Sequence, residues 1–300
     1  MLKIAWSKIY NHPLPEGHRF PMEKYDLLPR QLMHEGIVEK KNFFNPRKLT
    51  DNEIIAVHKT YYWNKLQKLG FTRQEERRSG FPISKRLVER EITINAGTIQ
   101  CAEYALQYGI AMNIAGGTHH AFSDRAEGFC LLNDIAIASR YLLDNGKARQ
   151  ILVVDLDVHQ GNGTAEIFQN EPNVFTFSMH GENNYPLQKE TSDLDIPLKD
   201  GTDDKTYLDL LDTALKSLLD RVAPDFIFFQ SGVDVLETDK LGRLGLSIGG
   251  CKKRDRLVVG EAKKGKIPIV ASMGGGYSRK IKDILEAHAN TYRTAQDIFF

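Results

Sequence analysis

Three side chains that could bind a metal follow one apolar run. Residues 151–159 have the sequence ILVVDLDVH. The apolar residues predict a strand that is buried on both faces, as in a parallel sheet. Because side chains alternate along an extended segment, Asp155, Asp157 and His159 begin on the same side of the chain. Ligands of open α/β sheets bind at the carboxyl edge of the strands, so the pattern predicts half of a metal site there.

Asp234, in SGVDVLETD after the apolar run FIFFQ, is the best third ligand. Three protein ligands leave a position for water, which is typical of catalytic zinc. Because the two carboxylates are harder ligands than the usual zinc set, iron(II), cobalt or manganese could compete. Two other interpretations stay open. A calcium loop that begins at Asp155 is disfavoured because Gln160 stands where that loop needs glycine, and the aspartates could simply cap the next helix.

The segment GGTHHA contributes His119 and His120 after the apolar residues 110–115. Considered alone, the pair fits a structural role equally well. Beside a metal, imidazoles suit proton transfer because they titrate near neutral pH. Each would need a partner for its other ring nitrogen, and Asp155 and Asn162 are the natural candidates.

The segment GGGY places Tyr277 after another apolar run, residues 267–272. A phenol hydroxyl there could stabilise the oxyanion that develops on a substrate carbonyl. A phosphate-binding loop is disfavoured, because no Lys-Ser or Lys-Thr pair follows the glycines.

Strand-like and helix-like segments alternate along the chain. Strands are predicted at residues 2–6, 110–115, 151–156, 173–178, 226–230 and 267–272. Helices are predicted at residues 23–34, 50–58, 61–69, 92–108, 133–143, 164–168, 202–222 and 278–292. This order predicts an α/β protein with a mostly parallel sheet, helices on both faces and a single domain over residues 1–300. The polar residues 71–89 are expected to form a surface excursion or a lid.

Composition limits the functional classes. The chain has 300 residues, of which 41% are hydrophobic and 26% charged, with a net charge of +1. The scattered basic residues do not indicate a nucleic-acid binder. No apolar run is long enough for a membrane span or a signal peptide. Three widely spaced cysteines argue against a disulfide framework, so a reducing, cytoplasmic location is expected.

Five motifs occur in the order in which histone deacetylases carry them: GGTHHA, GFCLLND, DLDVHQGNG, SGVDVLETDKLGRLGLS and GGGY. The chain therefore resembles this superfamily, which includes acetoin-utilisation proteins and acetylpolyamine amidohydrolases. FSDRAEGFC and DLDVHQGNG are most similar to the class IV branch. The resemblance implies the arginase/deacetylase fold, a central parallel sheet of about eight strands with helices on both sides.

The resemblance also implies a role for each site residue. Zinc would be held by Asp157, His159 and Asp234. Acid-base chemistry would fall to His119 and His120, with Asp155 and Asn162 behind them, and Tyr277 would polarise the carbonyl. An acyl-lysine tunnel would be lined by Gly128, Phe129, Tyr185 and Gly275. A monovalent cation, potassium, would lie near Asp155, Asp157, His159, Ser178 and Met179.

The implied function is a zinc-dependent amidohydrolase that removes acetyl or another acyl group from acyl-lysine. Three alternatives stay open: a hydrolase of acetylpolyamines or other small amides, a long-chain fatty-acyl-lysine deacylase, and a metal-bound acyl sensor without turnover. Asn162 stands where class I enzymes have aspartate, a difference that the class IV branch shares. Without the long tails of nuclear deacetylases, the chain is expected to be a compact bacterial enzyme. The sequence predicts no oligomeric state.

Overall fold

A computed structural model describes residues 1–300. Its core is one eight-stranded sheet in which every neighbouring pair of strands is parallel. This confirms the predicted single domain with a parallel sheet of about eight strands. The strands are β1 (Lys3–Ala5), β2 (Phe43–Phe44), β3 (Ile110–Asn113), β4 (Ile151–Asp155), β5 (Val174–Gly181), β6 (Leu194–Leu198), β7 (Phe226–Gln230) and β8 (Ile269–Ser272). Their order across the sheet is β2-β1-β3-β8-β7-β4-β5-β6.

Ten helices surround the sheet. They are α1 (Lys24–His34), α2 (Asp51–Ile55), α3 (Thr60–Gln67), α4 (Arg73–Ser79), α5 (Lys85–Tyr108), α6 (Asp134–Asp144), α7 (Asn162–Phe168), α8 (Asp204–Val222), α9 (Ile248–Gly265) and α10 (Ile281–Phe299). One group contains α5, which packs on β1, β3, β8 and α6. A second group runs from α1 through α10 and α9 to α8. No helix is long and apolar enough to cross a membrane.

Strand register places a row of polar residues directly beyond the apolar core. Along this row Asn113 pairs with Ser272, Ser272 with Gln230, Gln230 with Asp155, and Asp155 with Ser178. All of β4 and β7 is buried, which explains their continuous apolar sequences. The loops that leave this row are therefore close together at one edge of the sheet.

The sequence interpretation missed four elements, namely α9, β6, β2 and α4. Periodicity is weak in α9, which begins Ile248-Gly249-Gly250 and is rich in lysine. Pro197 hides β6, which is an edge strand where proline is tolerated. The two-residue β2 is too short to leave a pattern, and it covers β1, so the first strand is not at the edge of the sheet.

Residues 71–89, for which the sequence left a surface excursion and a lid open, contain α4 and the start of α5. Thr72 caps α4 by accepting from the amide of Glu75, and Gly80 ends this helix with a positive φ of 78°. Ser84 then caps α5, so that helix begins seven residues before the predicted start at Ile92. Asp203, and not Thr202, caps the next helix, which begins at Asp204.

Candidate active site

Asp157, His159 and Asp234 come together at the carboxyl edge of the sheet. Asp157 and His159 lie after β4, Asp234 lies after β7, and all three are buried. One potential ligand atom from each lies within 4.8 Å of the other two. Nδ1 of His159 is 3.0 Å from Oδ1 of Asp157 and 3.1 Å from Oδ2 of Asp234. The amide of Val158 donates to Oδ1 of Asp234 at 3.0 Å, which joins the two loops.

This cluster fits a divalent cation. Oδ2 of Asp234 is buried and accepts no hydrogen bond of good geometry, although Nδ1 of His159 is close. A buried carboxylate oxygen without a partner is costly unless a cation neutralises it. A Cβ on Gly275 would lie 2.0 Å from that oxygen, and a Cβ on Gly232 would lie 2.2 Å from Oδ2 of Asp157. The two glycines therefore leave room for two carboxylates and an imidazole, a donor set that zinc and iron(II) accept.

The three groups strongly perturb one another's protonation. Burial lowers the pKa of His159, but the close carboxylates of Asp157 and Asp234 outweigh it and raise that pKa to about 10. Burial, with the charge of Asp157, raises the pKa of Asp234 to about 7. Burial opposes ionisation of Asp157, yet the charge of His119 and the hydrogen bond with His159 hold its pKa well below the usual value. Buried negative charge of this density favours a positive partner, either a proton or a metal ion.

The two histidines of GGTHHA lie beside the cluster with their ring centroids 4.1 Å apart. Nδ1 of His119 donates to Oδ2 of Asp155 at 2.7 Å, and Nδ1 of His120 donates to Oδ1 of Asn162 at 2.6 Å. These are the partners that the sequence suggested. Burial lowers the pKa of His119, but the charges of Asp155 and Asp157 raise it to about 8. Burial, then the charges of the other histidines, holds the pKa of His120 well below its ordinary value.

Glu127 fixes the orientation of the Asn162 amide, a role that sequence reasoning missed. Nδ2 of Asn162 donates to Oε1 of Glu127 at 3.2 Å, and the hydroxyl of Tyr185 donates to the same oxygen at 2.5 Å. A carboxylate only accepts, so the other end of the amide, Oδ1, faces His120. Nδ1 of His120 therefore carries its hydrogen, and Nε2 is free to accept a proton on the site side.

Tyr277 borders the cluster from the loop after β8. Its amide donates to Oδ2 of Asp239 at 2.6 Å, and its ring lies 6.4 Å from that of His159. Its hydroxyl makes no hydrogen bond within the protein. Burial, followed by the charges of Asp234 and Asp157, raises the pKa of Tyr277 well above its usual value, so the hydroxyl keeps its proton.

Aromatic side chains form a channel that leads to the cluster. The ring of Phe129 lies 5.2 Å from that of Phe20, and the ring of Tyr185 lies 5.1 Å from that of His120. The predicted tunnel residues Gly128, Phe129, Tyr185 and Gly275 all line this channel or its mouth. Phe20 belongs to the Pro-rich segment at residues 12–21, so this segment contributes to the channel wall.

The last turn of α4 holds the channel in shape. The amide of Gly128 donates to the carbonyl of Arg78 at 3.1 Å, and the amide of Phe129 donates to the carbonyl of Ser79 at 2.7 Å. Phe129 has a positive φ of 66°, a conformation that needs such support. A Cβ on Gly80 would lie 2.6 Å from the Phe129 ring, so only glycine fits beneath it. Residues 73–80 are thus part of the channel wall.

Two buried cations support the site from behind. Lys24 on α1 is fully buried and donates to the carbonyl of Gly274 at 3.1 Å. Burial lowers its pKa to about 8, against the opposing charges of Asp234 and Asp157. Arg254 on α9 donates to the carbonyls of Leu156 and Gly232 at 3.1 and 2.6 Å, and so bridges the loops after β4 and β7. Neither residue stands in a motif, and only the tertiary contacts reveal them.

The residues of the predicted monovalent-cation site are neighbours. Ser178 on β5 is the register partner of Asp155 on β4, and Met179 follows it. The hydroxyl of Ser178 also bonds to Nδ1 of His180 at 2.9 Å. This proximity is compatible with a cation site but does not test it, and the site stays a prediction.

A family model described as a histone deacetylase domain matches residues 18–292. The chain belongs to the histone deacetylase family. An uncharacterized protein of Picosynechococcus sp. is 43% identical over 99% of both chains. Histone deacetylase 2 of Arabidopsis thaliana is 29% identical, and the match covers 90% of this chain and 73% of that protein. Type-1 histone deacetylase 1 of Dictyostelium discoideum is 30% identical, with 95% of this chain covering 59% of that protein.

Solved structures agree with this assignment. A histone deacetylase homologue in complex with SAHA superposes with a TM-score of 0.85 at 25% identity, covering 99% of this chain and 84% of the other. A histone deacetylase homologue from Aquifex aeolicus gives a TM-score of 0.84, also at 25% identity, covering 98% and 84%. The arginase/deacetylase fold expected from the motifs is therefore confirmed.

Proposed function

We propose that this chain is a divalent-metal-dependent amidohydrolase that removes a short acyl group from the side-chain amine of lysine. The observation that supports this most is the convergence of three features. An aromatic channel leads to the buried cluster of Asp157, His159 and Asp234, and two histidines with anchored Nδ1 atoms flank that cluster. Zinc is the first choice for the ion, with iron(II) as the alternative.

Asp157, His159 and Asp234 would hold the metal ion. When bound there, such an ion lowers the pKa of the attacking water and polarises the acyl carbonyl. The protein's own groups do the remaining chemistry. Nδ1 of His119 and Nδ1 of His120 are both occupied by their hydrogen bonds, so only the Nε2 atoms are available for proton transfer. Through these atoms the two histidines take a proton from water and return one to the leaving amine. The Tyr277 hydroxyl donates to the carbonyl oxygen as negative charge develops there.

The size of the inner cavity favours acetyl over a fatty acyl group. A cavity of about 40 Å³ lies beside the cluster and is lined by Tyr25, Ile94, Gly117 and Cys130 among others. This volume has room for only a few water-sized groups. A long-chain substrate would require these walls to move. The pairing of His120 with Asn162 also favours membership of the class IV branch, and a cytoplasmic location stays a prediction.

An activity screen tests the proposal. Metal-depleted protein is reconstituted with zinc or iron(II) and given acetyl-, butyryl- and myristoyl-lysine peptides alongside acetylated polyamines. We expect turnover of the acetyl peptide that depends on added metal. In the matched Tyr277→Phe variant, kcat should fall roughly 100-fold because one oxyanion donor is lost. Full turnover by Tyr277→Phe would refute the role of that hydroxyl, and acetyl-peptide binding without single-turnover hydrolysis would favour the sensor.

A further inference from the structure

The mouth of the channel is strongly basic. It opens into an outer cavity of about 390 Å³. Three arginines line this cavity, namely Arg19 from the loop before α1 and Arg77 and Arg78 from the last turn of α4, and no acidic side chain does. We call these three residues the arginine rim. The whole chain carries a net charge of only +1, so this concentration of positive charge is local.

The side chains of the rim are exposed, and their guanidinium groups have no acidic partner in the protein. None of the three forms a side-chain hydrogen bond or an ion pair, whereas the nearby Arg125 pairs with Asp124 at 3.1 Å. The Arg19 guanidinium lies 5.0 Å from the centroid of the Phe129 ring, at the channel wall. Arg78 accepts the amide of Gly128 through its own carbonyl, which fixes its backbone beside the channel turn.

Acidic groups near the mouth are already engaged elsewhere. The Glu127 carboxylate accepts from Tyr185 and Asn162. The Asp239 carboxylate accepts from the backbone amides of Leu241, Gly242 and Tyr277. Neither carboxylate lines the outer cavity, so a substrate that enters there meets positive charge that the protein does not neutralise.

We propose that the arginine rim selects acyl-lysine segments flanked by aspartate or glutamate. This inference rests on the proposed function and names its substrate class. A guanidinium matches a carboxylate with two parallel hydrogen bonds, and a cluster of like charges at a cleft attracts oppositely charged ligands over longer range. The same rim repels acetylated polyamines and lysine-rich peptides, because juxtaposed like charges are unfavourable. It therefore disfavours the polyamine alternative that the sequence left open.

Three acetyl-lysine peptides that differ only in their flanking residues test the inference. These residues are glutamate, glutamine or lysine on both sides of the acetyl-lysine. At low salt we expect kcat/KM of the zinc-loaded protein to rank glutamate above glutamine above lysine, with at least about a tenfold span. The span should shrink in about 0.5 M salt, where exposed charges are screened. No preference, or a preference for the lysine peptide, overturns the inference.

Charge reversal identifies the residues responsible. In the Arg77→Glu/Arg78→Glu variant, the ratio of kcat/KM between the glutamate and lysine peptides should invert. Arg73→Glu is the matched control, since Arg73 is exposed on the same helix but does not line the mouth. That control should keep the wild-type ratio. Arg73→Glu changes the net charge by half as much as the double variant, so a loss of the ratio about half as large in this control would mean that overall charge, and not the rim, sets the preference.

A binding measurement separates this inference from the proposed function. Fluorescence anisotropy of the three labelled peptides is measured with Tyr277→Phe protein, because a binding measurement does not need turnover. If the peptides bind with affinities in the order glutamate, glutamine, lysine but the wild-type enzyme hydrolyses none of them, the proposed function is refuted and the role of the arginine rim is supported. If the wild-type enzyme hydrolyses the peptides but their affinities do not follow this order, the role of the arginine rim is refuted and the proposed function stands.

Discussion

Replacing Arg254 should destabilise the protein more than almost any other single change. Its guanidinium and the Asp255 carboxylate are both completely buried, and Nε donates to that carboxylate at 2.9 Å. Its other nitrogens donate to the carbonyls of Leu156, Ser231 and Gly232. In Arg254→Met, all three carbonyls lose this donor and the Asp255 charge is left without its counter-ion.

The expected cost follows from this arrangement. Removing one partner of a buried ion pair costs about 3–5 kcal/mol, because the other charge stays in a medium that solvates it poorly. A domain has about 5–15 kcal/mol of unfolding free energy in total. At about 2–4 °C per kcal/mol, Tm should fall by about 6–20 °C. Urea unfolding followed by circular dichroism gives the free energy directly, provided the slope m is unchanged.

Arg256→Met is the matched control. Arg256 lies on the same helix, but its pair with Asp297 is 3.4 Å long and about half exposed. Such pairs contribute about 0–1 kcal/mol, so this variant should stay close to wild type. The double variant Arg254→Met/Asp255→Leu removes the stranded charge and should recover part of the loss. If Arg254→Met unfolds within about 1 kcal/mol of wild type, the argument from buried charge is wrong.

Three further predictions concern the site and its surroundings. Gly275→Ala should abolish zinc binding measured by calorimetry, because the new Cβ would lie 2.0 Å from Oδ2 of Asp234. The control Gly260→Ala, where the new Cβ has open space around it, should bind zinc normally. Glu127→Ala should lower kcat by roughly tenfold with little change in KM, since precise positioning of a base contributes at least this much. Glu127→Gln still offers an accepting oxygen and should keep most of the activity. Equal losses in both variants would contradict the positioning role. Burial lowers the pKa of His58 to about 4 from 6.5, so the unfolded chain binds the proton more readily than the folded protein does. The free energy of unfolding should therefore be independent of this group above pH 6.5 and decline by about 3 kcal/mol as pH falls to 4. A His58→Gln variant with the same pH slope would refute this.

The sequence was most informative where a local pattern carries the information. The apolar runs at β4 and β7 end in Asp155 and Gln230, so both the buried strands and the polar ends could be predicted from a few residues. GGTHHA and GGGY follow strands in the same way. The partners of the two histidines could be anticipated because acceptors stood two and three residues from the expected ligands.

Contacts between distant segments could not be predicted in this way. Lys24 binds the carbonyl of Gly274, which is 250 residues away in the chain, and nothing around Lys24 distinguishes it from a surface lysine on a helix. The importance of Arg254 depends on three carbonyls from two separate loops. Propensity also misled at residues 248–265, where paired glycines and lysines hide a helix that tertiary packing stabilises.

The position of β8 sets the order in which this protein can assemble during synthesis. It is the last strand to leave the ribosome, yet it lies between β3 and β7. Until residues 269–272 arrive, β2-β1-β3 and β7-β4-β5-β6 share no backbone hydrogen bonds, and each presents an open strand edge. Nascent chains are therefore expected to remain as two separate partial sheets that are prone to aggregation until β8 is synthesised. Joining of the halves and delivery of Tyr277 to its place become one late event, so no shorter intermediate can be enzymatically competent.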